Sequence, residues 1–257
     1  MQITKLLAYL LFSSFILISC SDDDDNTSLE TAAIPASNQQ PLGSSANDLL
    51  SSTNFNSLTV EMVSVQGFEP TTTAVNAFRQ FLEERLFKPD GIVINQRSVP
   101  SSNQAPFTIQ EIAAIEANTR SIFNAGDEIT VYVYFADGGN EEDSNQQVTL
   151  GSAYRNTSMV IYEGTLRQLS TRPGAPLLSS IETATLNHEF AHLMGLVNIG
   201  TPLQSAHEDA ENSGHCNVES CLMEAAIEFG SGMMGLGDEI PVLDPLCIAD
   251  LRANGGR

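Results

Sequence analysis

Basic residues are scarce in this sequence. Lysine and arginine together number 11 among 257 residues, against 32 aspartates and glutamates, so the formal net charge is −21. A nucleic acid or an anionic membrane surface needs a basic face on its partner, and this balance argues against both. We interpret the acidic excess as a solvated surface that keeps a secreted protein soluble. The carboxylates do not form the ordered Asp/Asn/Gly loop of a calcium site.

No apolar run near the N-terminus is long enough to span a bilayer. The run after Lys5 covers residues 6–18 and has the length of a signal-peptide core. It ends in "LISC", residues 17–20, which resembles the lipobox of bacterial lipoproteins, and the following "SDDDD" resembles a surface-export signal of Gram-negative lipoproteins. The resemblance implies a signal peptide over residues 1–19 and lipid chains on Cys20. We therefore expect an outer-membrane lipoprotein, exposed at the cell surface, that touches the membrane only through this anchor.

Bulky apolar residues are also sparse in the segment that follows Cys20. Its Ser, Asn, Thr, Gln and Pro composition predicts a flexible tether over residues 20–56. The hydrophobic fraction of the whole sequence, 42%, suffices for a core. We therefore predict one folded domain over residues 57–257.

The pattern within this domain predicts a mixed sheet with helices packed on it, an α+β fold. Residues 128–135 are apolar on both faces and predict a central buried strand. Thr108 and Glu111 have the spacing of a capping box and predict a helix that extends to about Asn124. Predicted strands cover residues 58–65, 91–99, 128–135, 148–154 and 158–164, and predicted helices follow Pro70, Thr108 and Ser179, with a last helix in residues 244–256.

The sequence "HEFAH", residues 188–192, carries the chemistry. The capping-box spacing of Ser179 and Glu182 predicts the start of its helix. His188 and His192 lie one turn apart, about 5.4 Å along the axis, so both imidazoles can reach one zinc ion. Glu189 lies beside them and can take a proton from a water that the metal activates.

Gly195 follows His192 by three residues and can end the helix in a left-handed conformation. The resulting "HExxHxxG" resembles the metzincin clan of zinc peptidases, in which the chain turns at the glycine and supplies a third histidine. Asn198 stands at that position here, and an amide oxygen is a poor zinc ligand. The resemblance implies a metzincin-like fold, with an active-site helix, the glycine turn, and a C-terminal subdomain with a Met-turn and a final helix.

The third ligand is then a later histidine. "HCNVESCLM", residues 215–223, resembles the archaemetzincin pattern of histidine, cysteine, a second cysteine and methionine. This resemblance assigns the third zinc position to His215, with His207 as the alternative, and makes Met223 the methionine of the Met-turn. Met223 as an ordinary core residue is the simpler alternative.

Archaemetzincins bind a second zinc with their two cysteines and a later Cys-x-x-Cys. Here only Cys247 follows, and Asp250 stands at the expected fourth position. One interpretation is a zinc ion bound by the three cysteines and Asp250. In an oxidising compartment a disulfide is favoured, most simply between Cys216 and Cys221.

The predicted function is a zinc endopeptidase. Three histidines would leave one coordination position for water, and Glu189 would act as general base. By resemblance, residues 149–154 form the antiparallel edge strand above the cleft, where Ser152 or Ala153 faces a polypeptide substrate; an ordinary sheet strand is the alternative. We expect a monomer with zinc as its cofactor. The other functions left open are an inactive or binding-type lipoprotein with a structural metal, and a hydrolase of non-peptide amides.

Overall fold

The computed structural model describes residues 33–144, 147–228 and 239–257. The predicted signal peptide, Cys20 and the beginning of the predicted tether lie outside the described residues. No helix within the described ranges is long and apolar enough to cross a membrane.

A five-stranded sheet forms the centre of the domain. Its strands lie in the order β2-β1-β3-β5-β4; β4 runs antiparallel to β5, and the other neighbours are parallel. The strands are β1 (Ser57–Val65), β2 (Gly91–Val99), β3 (Glu128–Phe135), β4 (Gly151–Arg155) and β5 (Ser158–Ile161).

Helices cover both faces of this sheet. They are α1 (Ala46–Leu50), α2 (Thr72–Arg85), α3 (Ile109–Thr119), α4 (Glu163–Ser170), α5 (Leu178–Leu193), α6 (Ala225–Glu228) and α7 (Pro245–Ala253), with a 3-10 turn at Ala36–Asn38. One core cluster joins α2 and α5 to one face of β1 and β3, and a second joins α3 to the other face. The fold is α+β, as the sequence predicted.

Strand β3 shows why the sequence pattern predicted a strand that is buried on both faces. Alternate residues of β3 enter opposite cores: Val131 and Val133 contact the α2 and α5 side, whereas Tyr132 and Tyr134 contact the α3 side. A strand buried on both faces needs apolar residues at successive positions. The prediction of a central buried strand is confirmed.

Several element ends differ from the predictions. Helix α3 ends at Thr119 because the Arg120 side chain turns into a buried network, where it binds Glu116 at 2.9 Å and the Thr130 carbonyl at 3.0 Å. Strand β4 starts at Gly151 because the N–H of Thr149 donates to Asp143 instead of to a neighbouring strand. Strand β5 ends at Ile161, and residues predicted to continue it begin α4, which the sequence analysis missed.

The folded part of the chain begins earlier than Ser57. Residues 33–56 pack on the domain instead of forming the predicted flexible tether. Leu49 and Leu50 of α1 are fully buried in the main core. The Lys88 ammonium fixes this segment by donating to three of its carbonyls, those of Asp48 at 2.6 Å, Ser51 at 2.6 Å and Phe55 at 2.8 Å. The polar composition of residues 33–56 did not predict this packing, because the contact needs only two leucines and a few backbone carbonyls.

Helix α5 starts differently from the prediction. Its N-cap is Leu177, so Ser179 and Glu182 form no capping box. Glu182 is fully buried and accepts hydrogen bonds from the backbone N–H and the hydroxyl of Thr71, at the start of α2. This contact ties α2 to α5, the helix that carries the HExxH motif.

Candidate metal centre and active site

Helix α5 places His188 and His192 side by side. Their Nε2 atoms lie 3.1 Å apart, as the spacing of one helical turn predicts. The Nδ1 atom of His188 lies 2.7 Å from the carbonyl oxygen of Leu222, and that of His192 lies 3.3 Å from the carbonyl oxygen of Leu196. Because a carbonyl only accepts, Nδ1 carries the proton in both rings and each Nε2 keeps a free lone pair.

The chain turns at Gly195, as predicted. Its φ is +78°, and a Cβ there would lie 2.6 Å from the Thr201 backbone nitrogen and 2.8 Å from the Ala46 side chain. Only glycine tolerates both the conformation and the close approach. Asn198 lies beyond the turn on the surface, where its amide donates to Glu208 at 3.0 Å. Asn198 therefore takes no part in the site.

The loop after the turn brings His215 to the histidine pair. The ring of His215 stacks on that of His188 with centroids 5.4 Å apart and lies edge-on to that of His192 at 5.0 Å. Potential ligand atoms of the three histidines and of Glu228 all lie within 4.8 Å of one another. The three histidines were predicted from the sequence, whereas Glu228 was not.

His215 and Glu228 meet without a hydrogen bond. The Nε2 atom of His215 lies 2.8 Å from Glu228 Oε2, and neither ring nitrogen of His215 forms a hydrogen bond within the described residues. Buried polar atoms without partners are uncommon in folded proteins. A metal ion between the His215 ring and the Glu228 carboxylate would satisfy one of these nitrogens.

Burial sets the protonation of the two helical histidines. It lowers the pKa of His188 to about 4, against a smaller opposing effect of the hydrogen bond to Leu222. Burial also holds the pKa of His192 well below its usual value, with a further contribution from His188. Both imidazoles are thus neutral near pH 7, which is the form that binds metal.

Glu189, the residue after His188 on α5, lines the same cleft as His192, His215 and Glu228. Its Oε2 accepts the backbone N–H of Ala153 at 2.9 Å, while Oε1 is buried and has no partner among the described residues. Burial, and then the charge of Glu228, raises the pKa of Glu189 well above its usual value. A buried carboxylate beside a second, partly buried one would be stabilised by a cation.

Gly151 makes room for Glu189. A Cβ at position 151 would lie 2.6 Å from Cγ of Glu189 and 3.0 Å from its Oε1. Such a distance is far below van der Waals contact, so any side chain at position 151 would require the Glu189 carboxylate to shift. The sequence analysis did not identify Gly151, because its role depends on a helix that comes later in the chain.

A cleft of about 330 Å³ opens over this centre. Strand β4 forms one wall and is the edge of the sheet, as predicted. Ser152 and Ala153 both line the cleft, but the N–H of Ala153 is directed to Glu189. The cleft is also lined by Leu42, Ile109, Tyr154, His192, Ile199, Ser213, His215 and Glu228.

Met223 lies in a turn beside the centre and is fully buried. It directly follows Leu222, whose carbonyl holds His188, and its own carbonyl accepts the N–H of Cys216 at 2.7 Å. The turn therefore connects the helix that carries His188 with the loop that carries His215. This position fits the predicted Met-turn.

A second cluster lies behind His215 and contains His207. The Nδ1 atom of His207 lies 3.3 Å from Cys216 Sγ and 3.9 Å from Cys247 Sγ. Cys221 Sγ is 3.8 Å from Cys247 Sγ. His207 thus lies with the cysteines and not with His188 and His192, which leaves its alternative assignment as third ligand unsupported by the geometry.

The cysteine predictions need correction. Cys216, Cys221 and Cys247 are all buried free thiols, so the disulfide between Cys216 and Cys221 is absent. Asp250 does not join the sulfur atoms: its Oδ2 lies 2.7 Å from His207 Nε2, and its Oδ1 accepts the Gln204 N–H at 2.7 Å. The sequence could not show this, because His207 reaches the cluster through an irregular loop.

Comparisons with known proteins support the fold. A scan against family models gives no match, and a search of curated proteins gives none. Among solved structures, archaemetzincin from Methanopyrus kandleri aligns with 77% of this chain and 96% of its own, at 18% identity and a TM-score of 0.51.

Metalloproteinase-II from Bacteroides fragilis is also similar, at 14% identity and a TM-score of 0.41. It aligns with 87% of this chain but only 55% of its own length, so this chain spans about half of that protein. The α+β fold of this chain is similar to that of the archaemetzincin structure. The His/Glu group and the His/Cys group could each hold a metal ion.

Proposed function

We propose that this protein is a zinc-dependent endopeptidase. The observation that supports it best is the cluster of three buried imidazoles, whose ligand atoms lie within 4.8 Å of one another, together with the Glu189 carboxylate, whose Oε1 has no partner among the described residues. This arrangement opens into a cleft whose wall is an edge strand. A metal, a base and a surface that can bind an extended peptide are the parts that peptide hydrolysis requires.

Zinc fits the donor set. His188, His192 and His215 would hold it through neutral nitrogens, the ligands typical of catalytic zinc sites. The hydrogen bonds of His188 to Leu222 and of His192 to Leu196 fix both rings in the orientation that ligation needs. When bound, zinc polarises a substrate carbonyl and increases the acidity of a nearby water.

Glu189 would perform the proton transfers. Its Oε1 accepts a proton from water while the water oxygen bonds to the carbonyl carbon of the substrate. As the C–N bond breaks, the same oxygen passes the proton to the departing amine. Ala153 holds the other oxygen through its N–H, so the orientation of the base depends on the strand that forms the cleft wall.

The edge strand β4 indicates the substrate class. An extended polypeptide can add to an unpaired strand edge through backbone hydrogen bonds. In the described part of the chain, β4 pairs only with β5. We therefore propose polypeptides as substrates, held across the cleft in an extended conformation.

A second function is favoured by Glu228. A zinc site closed by four protein ligands is structural, whereas a catalytic site keeps one position open. The carboxylate of Glu228 belongs to the same four-residue group as the histidines. If Glu228 stays on the metal, the protein is an inactive or binding-type lipoprotein with a structural ion.

Substitution of Glu189 separates these two functions. In the full chain purified in detergent, Glu189→Gln should reduce cleavage of a panel of unrelated peptides by about 100-fold or more while zinc content stays unchanged. Glu83→Gln, at an exposed position of α2, is the matched control. A wild-type protein that binds zinc but cleaves no peptide would favour an inactive or binding-type lipoprotein. A wild-type protein that binds no zinc would rule out both this function and the endopeptidase.

The cellular location and the oligomeric state of the protein are also proposals. We propose that it acts at the cell surface as a monomer, anchored by lipid on Cys20. Cys20→Ser should then release the protein from the membrane fraction. Retention of that variant in the membrane would contradict the anchor without affecting the proposed chemistry.

A further inference from the structure

Part of the cleft over the proposed zinc centre is lined by large apolar side chains. They come from the segment before β1, the start of α3, strand β4 and the loop after Gly195, and each is only partly buried; they are Leu42, Ile109, Tyr154 and Ile199. We call these four residues the apolar subsite. Ligand pockets are typically lined by apolar side chains next to a few polar groups, and here the polar groups are those of the proposed catalytic centre.

We propose that the apolar subsite binds a large aliphatic or aromatic side chain of the polypeptide substrate. This inference rests on the proposed peptidase function and deepens it, because it names the kind of side chain that selects the bond to be cut. It also gives the segment before β1 a role in substrate recognition. Composition had predicted that segment to be a flexible tether.

Asn156 fixes the segment before β1 at the end of β4. It directly follows this strand and is fully buried. Its backbone N–H donates to the Gln40 carbonyl at 3.0 Å, and its side-chain oxygen accepts the Gln40 N–H at 3.1 Å. Its side-chain amide donates to the Ser37 carbonyl and to the Ser45 hydroxyl, both at 2.8 Å. Leu42 lies within this anchored stretch, so it is held at the cleft beside the edge strand.

Two glycines pack closely against Ile199. A Cβ at Gly43 would lie 2.9 Å from Cγ2 of Ile199. A Cβ at Gly214 would lie 2.9 Å from Cδ1 of Ile199 and 4.0 Å from Cε1 of His192. The backbone at both positions therefore approaches Ile199 more closely than a side chain would allow. These contacts place Ile199 next to a proposed zinc ligand and join it to the segment that carries Leu42.

The hydroxyl of Tyr154 is already paired. It donates to the buried Glu116 at 3.1 Å, and Arg155 donates to the same carboxylate oxygen at 2.8 Å. Successive side chains of a regular strand point to opposite faces, but the register of β4 shifts between Ala153 and Arg155, which lets both reach Glu116. Tyr154 also packs, with Ile109, against the second core. What the Tyr154 ring offers a substrate is therefore apolar surface in a fixed orientation.

Charge disfavours acidic and basic side chains in the apolar subsite. None of its four side chains is charged, and no lysine or arginine lines the cleft. A substrate carboxylate or ammonium there would lose hydration without gaining a partner in the subsite, which costs free energy, whereas an apolar side chain gains from leaving water. Tyr154 directly follows Ala153, whose N–H holds Glu189. The selected side chain should therefore lie within about three residues of the bond that is cut.

Peptide binding to an inactive variant tests the apolar subsite without relying on catalysis. We expect zinc-loaded, full-length Glu189→Gln to bind peptides with a central leucine or phenylalanine about 10-fold or more tightly than matched peptides with alanine, aspartate or lysine, as hydrophobic pockets discriminate. Fluorescence anisotropy of labelled peptides measures this. Mass spectrometry of wild-type cleavage products should find the same side chain within about three residues of the cleaved bond.

The two measurements separate failure of the subsite from failure of the peptidase. If the wild type cleaves no peptide while Glu189→Gln keeps the apolar preference, the proposed peptidase function is overturned and the subsite stands as a binding site. Equal binding of all the peptides, or binding of none, would overturn the subsite. Cleavage without any apolar preference would overturn the subsite and leave the peptidase function intact.

Truncation of the subsite residues tests their assignment. In the Glu189→Gln background, Leu42→Ala and Ile199→Ala should each reduce the preference for leucine over alanine by about fourfold or more, the effect of one buried CH₂ group. Leu203→Ala and Ile248→Ala are matched controls, because both side chains are partly buried against the main core and lie outside the cleft. These two variants should keep the wild-type preference. An equal loss in the control pair would overturn the assignment.

A charge placed in the apolar subsite should create a new specificity. In the same background, Leu42→Glu should bind the lysine peptide more tightly than the leucine peptide, because its carboxylate can pair with the lysine ammonium. A misfolded variant would lose affinity for both peptides and could not reverse their order. An unchanged preference for leucine in Leu42→Glu would overturn the place of the segment before β1 in substrate recognition.

Discussion

Gly151 is important because it has no side chain. A methyl group at this position would lie 2.6 Å from Cγ of Glu189, the residue that we propose as the base. Strand β4 and helix α5 are both firmly packed, so the carboxylate is the part that would move.

We expect Gly151→Ala to lower kcat by about 10-fold or more, since a displaced catalytic group loses most of its advantage. Zinc content should stay the same because the three histidines are untouched. Steady-state kinetics with metal analysis would check this. An unchanged kcat would show that Glu189 tolerates the shift.

In the proposed zinc site, Glu228 would be the fourth protein ligand. It would compete with water for the fourth position, so the active fraction depends on how often its carboxylate is displaced. We expect Glu228→Gln to keep zinc and to increase turnover by about threefold or more, as the competent state becomes more populated. A fall in turnover as large as that of Glu189→Gln would instead place Glu228 in the catalytic machinery.

The segment before β1 is an element that composition alone did not reveal. Its helix α1 packs against the main core, and its carbonyls converge on the Lys88 ammonium. Gly195 also packs against Ala46 of this helix. The segment therefore supports the turn that follows the HExxH helix.

Lys88→Met tests this support. Methionine keeps the apolar stem but removes all three hydrogen bonds, which leaves buried carbonyls without donors. We expect a loss of about 2–4 kcal/mol in the free energy of unfolding, measured by urea denaturation. Arg172→Met, at an exposed position, should change it by less than about 0.5 kcal/mol. An equally small effect in Lys88→Met would mean that the segment contributes little to stability.

The whole molecule carries a large excess of negative charge, and some of it is buried. Glu163 is fully buried between α4 and α5. Its Oε1 accepts from Arg167 at 2.7 Å, while its Oε2 has no partner in the described residues. Burial raises the pKa of Glu163 to about 8, helped by the charge of Glu182 and opposed by Arg167.

This raised pKa predicts how stability changes with pH. The unfolded chain ionises Glu163 near its usual value of about 4.3, whereas the folded protein resists ionisation. The stabilising contribution of Glu163 is therefore complete below that pH and is lost as the pH rises to about 8. Relative to Glu163→Gln, the wild type should lose stability over this window and change little above it. Urea denaturation at saturating zinc would check this, and a constant difference between the two proteins would contradict it.

The structural features that could be predicted from the sequence are those that depend on residues close together in the chain. An HExxH motif places two imidazoles and a carboxylate at one helix surface whatever surrounds it, because the helical repeat fixes their spacing. The glycine turn and the buried central strand follow from similar short-range rules. These features sufficed for the fold class and for the residues of α5 that carry the proposed chemistry.

The residues that join the HExxH residues of α5 from distant parts of the chain could be identified only from the tertiary structure. The sequence favours His215 as the third ligand only through its resemblance to a family pattern and leaves His207 as the alternative. The path of the loop separates the two histidines into different clusters. Glu228, Gly151 and the pairing of His207 with Asp250 depend on contacts between elements far apart in the chain. No periodicity encodes such contacts, because they arise from how the loops pack against the sheet and α5.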